Sequence, residues 1–103
     1  RRSDLILRGG ANVYPVEVEN VLLTHPSIDE AVVLGIADDR LGERVAAAVV
    51  LRRDAALEAD ALRAHCAEQL AGYKVPDRIV AVTSLPRNAM GKVVKAELEA
   101  MLD

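Results

Sequence analysis

Apolar and polar positions alternate between two rhythms along the chain, and the switches between them mark its elements. Leu5-Ile6-Leu7, then Arg8-Gly9-Gly10, then Ala11-Asn12-Val13-Tyr14 reads as a hairpin, because adjacent glycines permit the positive φ angles that tight hairpin turns require. Pro15 supplies a fixed φ suited to a first helical turn. Behind it Val18, Val21 and Leu22 fall at helical spacing, with Glu17 and Glu19 near the positive end of the helix dipole. That helix is expected to stop near His25-Pro26. Ala31 to Ile36 and Val45 to Leu51 are short Val- and Ile-rich runs separated by the turn Asp38-Asp39-Arg40-Leu41-Gly42, which predicts two antiparallel strands in a covered sheet. Ala59, Leu62, Cys66 and Leu70 mark one face of a second helix, with Glu58 at its N-cap, where Ser, Thr or Asp would cap better. Ile79 to Val82 is a further strand, and Val94, Leu98, Met101 and Leu102 form the apolar stripe of a last helix.

With no repeat and no low-complexity linker, these elements predict one α+β domain over residues 1–103. It should hold a small antiparallel or mixed sheet, an N-terminal hairpin and about three packed helices. Composition narrows the core: 51% of residues are hydrophobic, yet there is no Phe or Trp and there are only two Tyr. A base-stacking nucleic-acid module needs more aromatic surface than this, so no nucleic-acid partner is expected. Cys66 is alone and cannot form an internal disulfide. No eighteen-residue apolar run and no charged-then-apolar leader is visible, so no transmembrane segment is expected and a cytoplasmic setting is. The opening Arg-Arg-Ser-Asp runs straight into an apolar strand, which reads as a piece of a longer chain.

Net charge is −3, but the distribution matters more. Residues 1–13 carry +2, and residues 72–95 carry +4 through Lys74, Arg78, Arg87, Lys92 and Lys95 against Asp77. Residues 14–70 carry −6. Positive charge thus collects beside the Gly-rich turn and the Pro/Gly loop, a distribution that suits an anionic small molecule. Solvated faces would give the same pattern.

Candidate chemistry is sparse. Gly91-Lys92 is no P-loop, since Pro86 stands where the first Gly belongs and Val93 where Ser or Thr belongs. His25, His65 and Cys66 have no metal-site spacing, so no metal site is expected. Ser3, Thr24, Ser27, Thr83 and Ser84 have no His or Lys at nucleophile-like spacing. Lys92 is the better candidate: it follows Pro-Arg-Asn-Ala-Met-Gly on what reads as an exposed, mobile loop, from which an ammonium can reach out of the domain as a point charge.

Four phrases, "RRSDLILRGGANVYPVEVENVL", "AVVLGIADDRLGERVAAAVVL", "LAGYKVPDR" and "LPRNAMGKVVK", resemble in order and spacing the mobile C-terminal subdomain of the acyl-CoA synthetase and adenylate-forming superfamily. The resemblance covers essentially the whole chain. It implies a ligase that joins a carboxylic acid to ATP, with Mg²⁺, as an acyl-adenylate, and then passes the acyl group to CoA with release of AMP. The partner it implies is a large N-terminal adenylation domain of the same polypeptide that holds ATP and the small-molecule acid. "GGANVYPVEVE" and "GYKVP" look most like the fatty acyl-CoA ligase branch.

By the same resemblance Lys92 looks like the lysine that enters the active site for adenylation. Arg1 falls at the arginine near the ATP ribose, and Ser3 at the hinge, where Asp or Lys is usual. Gly9 and Gly10 would let the backbone lie close to the pantetheine arm of CoA, with Arg8 facing a CoA phosphate; turn geometry alone also accounts for the glycines. Tyr73 resembles an aromatic residue that lies against the CoA adenine, with core packing as its other reading. Lys74 and Arg78 are then candidates for the CoA phosphates. Val75 and Asp77 depart from relatives that carry basic residues there. Two rival readings are a free-standing CoA- or partner-binding module with this fold, and the same subdomain of a carrier-protein-acylating or luciferase-like enzyme.

Overall fold

A computed structural model describes residues 5–102. The hairpin forms as the glycine pair dictates: β1 (Ile6–Arg8) and β2 (Ala11–Val13) pair antiparallel. Both turn residues have left-handed backbones, Gly9 at φ +59° and Gly10 at +85°, the requirement of the tight turn that matches strand twist. Pro15 opens α1 (Pro15–Leu23) at its first position.

The two Val- and Ile-rich runs become β3 (Ile28–Asp38) and β4 (Gly42–Leu51), paired antiparallel along their lengths with a bulge between Ile28 and Glu30. Both strands run further into polar sequence than their apolar centres suggest, because the ladder continues through Ala37↔Glu43 and Asp38↔Gly42. Then come α2 (Ala59–Ala67), a single 3-10 turn at Gly72–Lys74, β5 (Arg78–Ala81) and α3 (Lys95–Leu102). Glu58 is the N-cap of α2 and makes no side-chain cap bond. The sheet is mixed: β5 lies parallel to β4, and every other pairing is antiparallel.

Strand β4 organises the domain. One edge carries β3, and the other is shared by β1, which meets it at Gly42, and β5, which meets it from Ala46 to Val49. Alternation along the sheet then splits the core in two. Val33, Val45, Ala47 and Val49 pack with Val18 and Leu22 of α1, Leu62 and Cys66 of α2, and Ile6 and Val13 of the hairpin. On the opposite face Val32, Leu34, Ala46 and Ala48 pack with Leu85 and with Leu98 and Leu102 of α3. Small alanines at the centre of β4 let apolar side chains approach both faces.

The expected stripe of the last helix needs one correction. Met101 is 49% exposed, while Leu98 and Leu102 are fully buried, because residues four apart share one helix face and Met101 is turned off it. Val94 precedes the helix and accepts its first turn through Glu97 N–H. Leu70 lies beyond the last turn of α2 yet is still buried in the first core.

Candidate functional site

The loop that carries Lys92 is built from short-range polar bonds. Leu85 anchors its start in the second core. Arg87 and Val93 form an antiparallel bridge, and Asn88 N–H donates to the Lys92 carbonyl at 2.9 Å. The Asn88 side-chain oxygen accepts the N–H groups of Met90 at 2.9 Å and Lys92 at 3.1 Å. An Asn side chain that mimics a turn carbonyl is a common way to close such a loop. Arg87 then spans outward: Nη1 donates to the Gly91 carbonyl and Nη2 to Glu30 Oε1 on β3, each at 2.8 Å. The sequence reading made this loop exposed and mobile; the structure keeps it exposed but braces it on both sides.

Lys92 stands out among the cations of its stretch. Lys74 Nζ pairs with Glu17 at 2.9 Å, and that hydrogen bond holds the ammonium above its usual pKa. Arg78 Nε donates to the carbonyl of Leu102, Arg87 is committed as above, and Lys95 Nζ donates to the Val33 carbonyl. Among the described residues the exposed Lys92 ammonium has no partner. Of the five cations in residues 72–95, it is the one that an incoming anion meets without first displacing a carboxylate or a carbonyl.

At the hairpin the geometry is different. Gly9 N–H donates to the Leu41 carbonyl at 2.8 Å, and Leu7 N–H donates to Glu43 Oε1 at 2.8 Å. Arg8 grips Asp77 with two bonds, Nε to Oδ2 at 3.1 Å and Nη2 to Oδ1 at 2.9 Å. The bond to Asp77, reinforced by the charges of Asp77 and Asp38, raises the guanidinium further above its ordinary value. Gly10 faces open space: a Cβ built there meets nothing within 4 Å. Leu7, Tyr14 and Val16 leave apolar surface exposed around this end. Tyr73 is 40% exposed and is therefore not a core residue, and Lys74 Nζ lies 5.7 Å from its ring centroid. Arg1 and Ser3 lie outside the described residues.

Sequence reasoning missed Asn88 and Glu30 as parts of the lysine loop, and Asp77 as the partner of Arg8. The Asn88 signal was legible, since Asn before a Gly turn reads as a side-chain cap. The two histidines, forty residues apart in the chain, meet edge to face at 5.1 Å, with His65 Nε2 2.7 Å from Thr24 Oγ1. No group of His, Cys, Asp or Glu among the described residues could hold a metal ion. Burial pushes the Cys66 thiol up, which keeps it an inert core group. No helix among them is long and apolar enough to cross a membrane.

Replacing Asn88 with Ala is expected to leave the fold intact and cost the loop its shape, since two N–H groups lose one acceptor. The expected result is hydrogen exchange about tenfold or more faster at the Met90 and Lys92 amides, with an unfolding midpoint close to that of the parent. Parent-like exchange at those amides would show that the Asn88 side chain does not brace the loop.

Known proteins resemble this chain in sequence and in fold. Residues 17–92 match the AMP-binding enzyme C-terminal domain. The chain is 52% identical over 102 residues to a 2-succinylbenzoate–CoA ligase of Geobacillus kaustophilus, covering 99% of this chain and 21% of that protein. It is 46% identical over 103 residues to the ligase of the same name from Bacillus cereus, again 21% of that protein. The chain thus spans about a fifth of the length of these curated relatives. Among solved structures it superposes on o-succinylbenzoate CoA synthetase from Bacillus subtilis in complex with its acyl-adenylate intermediate, with TM-score 0.89 and 44% identity over 96% of this chain and 20% of that one. A fatty acyl CoA synthetase of Mycobacterium tuberculosis gives TM-score 0.89 at 37% identity, covering 98% and 20%. By sequence and by fold, the chain belongs to the AMP-binding enzyme C-terminal domain family.

Proposed function

We propose that this domain is the moving lid of an ATP-dependent acid–thiol ligase, which converts a carboxylic acid, ATP and CoA into acyl-CoA, AMP and pyrophosphate. The observation that carries the reading is the unpartnered Lys92 ammonium on a loop braced by Asn88 and Arg87.

In the first half-reaction a carboxylate oxygen attacks the α-phosphorus and pyrophosphate leaves. Two anions must come together, and negative charge gathers on the α-phosphate oxygens as they do. A pre-positioned ammonium offsets that charge without reorganising at the moment of reaction. Mg²⁺ bound with ATP would supply further neutralisation of the phosphate charge, and no residue of this domain is assigned to hold it. In the second half-reaction the CoA sulfur attacks the acyl carbonyl carbon and AMP departs. There the hairpin faces the acceptor: Gly9 and Gly10 leave room for the pantetheine arm, and Tyr73 offers a face for the adenine. Arg1 near the ribose and Ser3 at the hinge complete the assignment, with Lys74 on the side where the CoA phosphates approach.

The partner is a large N-terminal domain that holds ATP and reads the acid, in a cytoplasmic enzyme. The relatives widen the proposed acid from fatty acids to include an aromatic acid such as 2-succinylbenzoate, for which the ligases of Geobacillus kaustophilus and Bacillus cereus are named.

The hairpin assignment is tested by Gly10→His in the full-length enzyme. The new side chain has open space within the domain, and His is among the residues that tolerate positive φ. Thioester formation is expected to slow by about tenfold or more, while ATP-dependent pyrophosphate release stays near the parent rate. Slower pyrophosphate release with unchanged thioester formation would mean that the hairpin is a turn and nothing else.

A further inference from the structure

We infer that Arg8 and Asp77 act together as a positioning pair that sets the pose of the Gly9–Gly10 turn for thiol attack, rather than Arg8 serving as a direct phosphate ligand. The inference rests on the hairpin's being the acceptor face, as proposed above.

The hairpin is poorly held by backbone alone. Strands β1 and β2 are three residues each, and an isolated two-stranded ribbon of that length is marginal in water. Among the described residues its only ladder contact with the rest of the sheet is Arg8↔Gly42, supplemented by the bond from Gly9 N–H to the Leu41 carbonyl. On that edge of β4, β5 takes over only at Ala46, which leaves positions 43–45 without a continuous strand neighbour.

Two carboxylates fill the interval. Glu43 Oε1 accepts the Leu7 N–H from the hairpin. Its seat depends on Gly35, where a Cβ would lie 2.5 Å from Glu43 Oε2. Asp77 does the larger part: its N–H donates to the Val45 carbonyl, and its Oδ2 accepts the Val45 N–H at 3.1 Å. A residue just before β5 thereby continues the edge by one step and offers the same carboxylate to both Nε and Nη2 of Arg8. A planar guanidinium gripped at two points fixes direction as well as distance. Because Arg8 immediately precedes Gly9, that grip sets the angle at which the turn leaves the sheet.

The same geometry argues against a direct phosphate contact. A phosphate reaching this guanidinium meets the Asp77 carboxylate in the same fork, so local attraction and repulsion largely cancel. The Arg8 and Asp77 side chains are 23% and 26% exposed, shielded enough for the pair to keep one geometry.

The test uses the full-length enzyme with Arg8→Gln, Asp77→Asn and the double variant, each assayed for pyrophosphate release and for thioester formation with CoA and with pantetheine. Pantetheine has the thiol arm but neither the adenine nor the phosphates. The expected result is a loss of about five- to tenfold in thioester formation for each single variant, and no further loss in the double, because both changes remove one interaction. The loss should be equal with CoA and pantetheine, with pyrophosphate release within about twofold of the parent. A loss that appears with CoA and vanishes with pantetheine would make Arg8 a phosphate ligand and overturn the inference while leaving the hairpin reading standing. Losses that multiply in the double variant, equal slowing of both half-reactions, or no slowing at all would overturn it too. The hairpin reading itself falls separately, on an unimpaired Gly10→His thioester step. Should Asp77→Asn fail to fold, Arg8→Lys, which keeps charge and loses the fork, is expected to show the same acceptor-independent loss.

Discussion

Lys92→Ala in the full-length enzyme is expected to lower adenylate formation by about a hundred- to a thousandfold, the scale of removing one pre-positioned donor from a developing charge. Thioester formation from supplied acyl-adenylate should stay within about twofold of the parent, since the carbonyl under attack there is already activated by AMP. The contrast between half-reactions is the informative quantity, because a folding defect would depress both. The expected pattern follows from position: the ammonium is exposed and free of partners within the domain, so truncation removes charge without opening a cavity or orphaning a neighbour. Pyrophosphate exchange and single-turnover acyl transfer, measured side by side, check it. Equal losses in the two would remove Lys92 from the role assigned to it.

Truncating Leu98 to Ala should destabilise the domain by about 2–5 kcal/mol, the range for losing a buried leucine and leaving part of its volume empty. Against a total of about 5–15 kcal/mol for a domain of ordinary stability, that is a large share. Leu98 is fully buried and, with Leu102, attaches α3 to Val32, Leu34, Ala46 and Ala48. Leu98→Met, which nearly conserves volume, should cost less than about 1.5 kcal/mol. Urea unfolding of the two variants makes the comparison. A cost below about 1 kcal/mol for Leu98→Ala would show that α3 packs outside the cooperative core.

Much of the fold was legible because its signals are local. Gly9-Gly10 demanded a turn, Pro15 a helix start, and the runs around Val33 and Ala48 a covered sheet. Met101 was misplaced because a helical stripe read without its partner cannot tell its centre from its margin. The ends of β3 and β4 were cut short because Asp38 and Glu43 look like loop residues until a facing strand pairs them.

The candidate site divides in the same way. Lys92 and the hairpin glycines are candidates that the sequence names directly. The bonds around them join residues far apart: Arg8 to Asp77 across 69 positions beside the hairpin, Arg87 to Glu30 across 57 beside the lysine loop, and Lys74 to Glu17 across 57 next to Tyr73. No periodicity reports such pairs. A carboxylate that grips a guanidinium looks, in sequence, like any other acid on a wet surface.

Arg87 ties the lysine loop to β3, and Asp77 ties the hairpin to the edge of β4, while β3 and β4 are zipped together along nearly their full length. The lysine loop and the hairpin are thus mounted on one stiff plate, with no joint between them among the described residues. In the ligase proposed above, neither chemical step could then be tuned by flexing a single loop; the whole plate would have to swing, and the timing of the two reactions would be a property of the pivot.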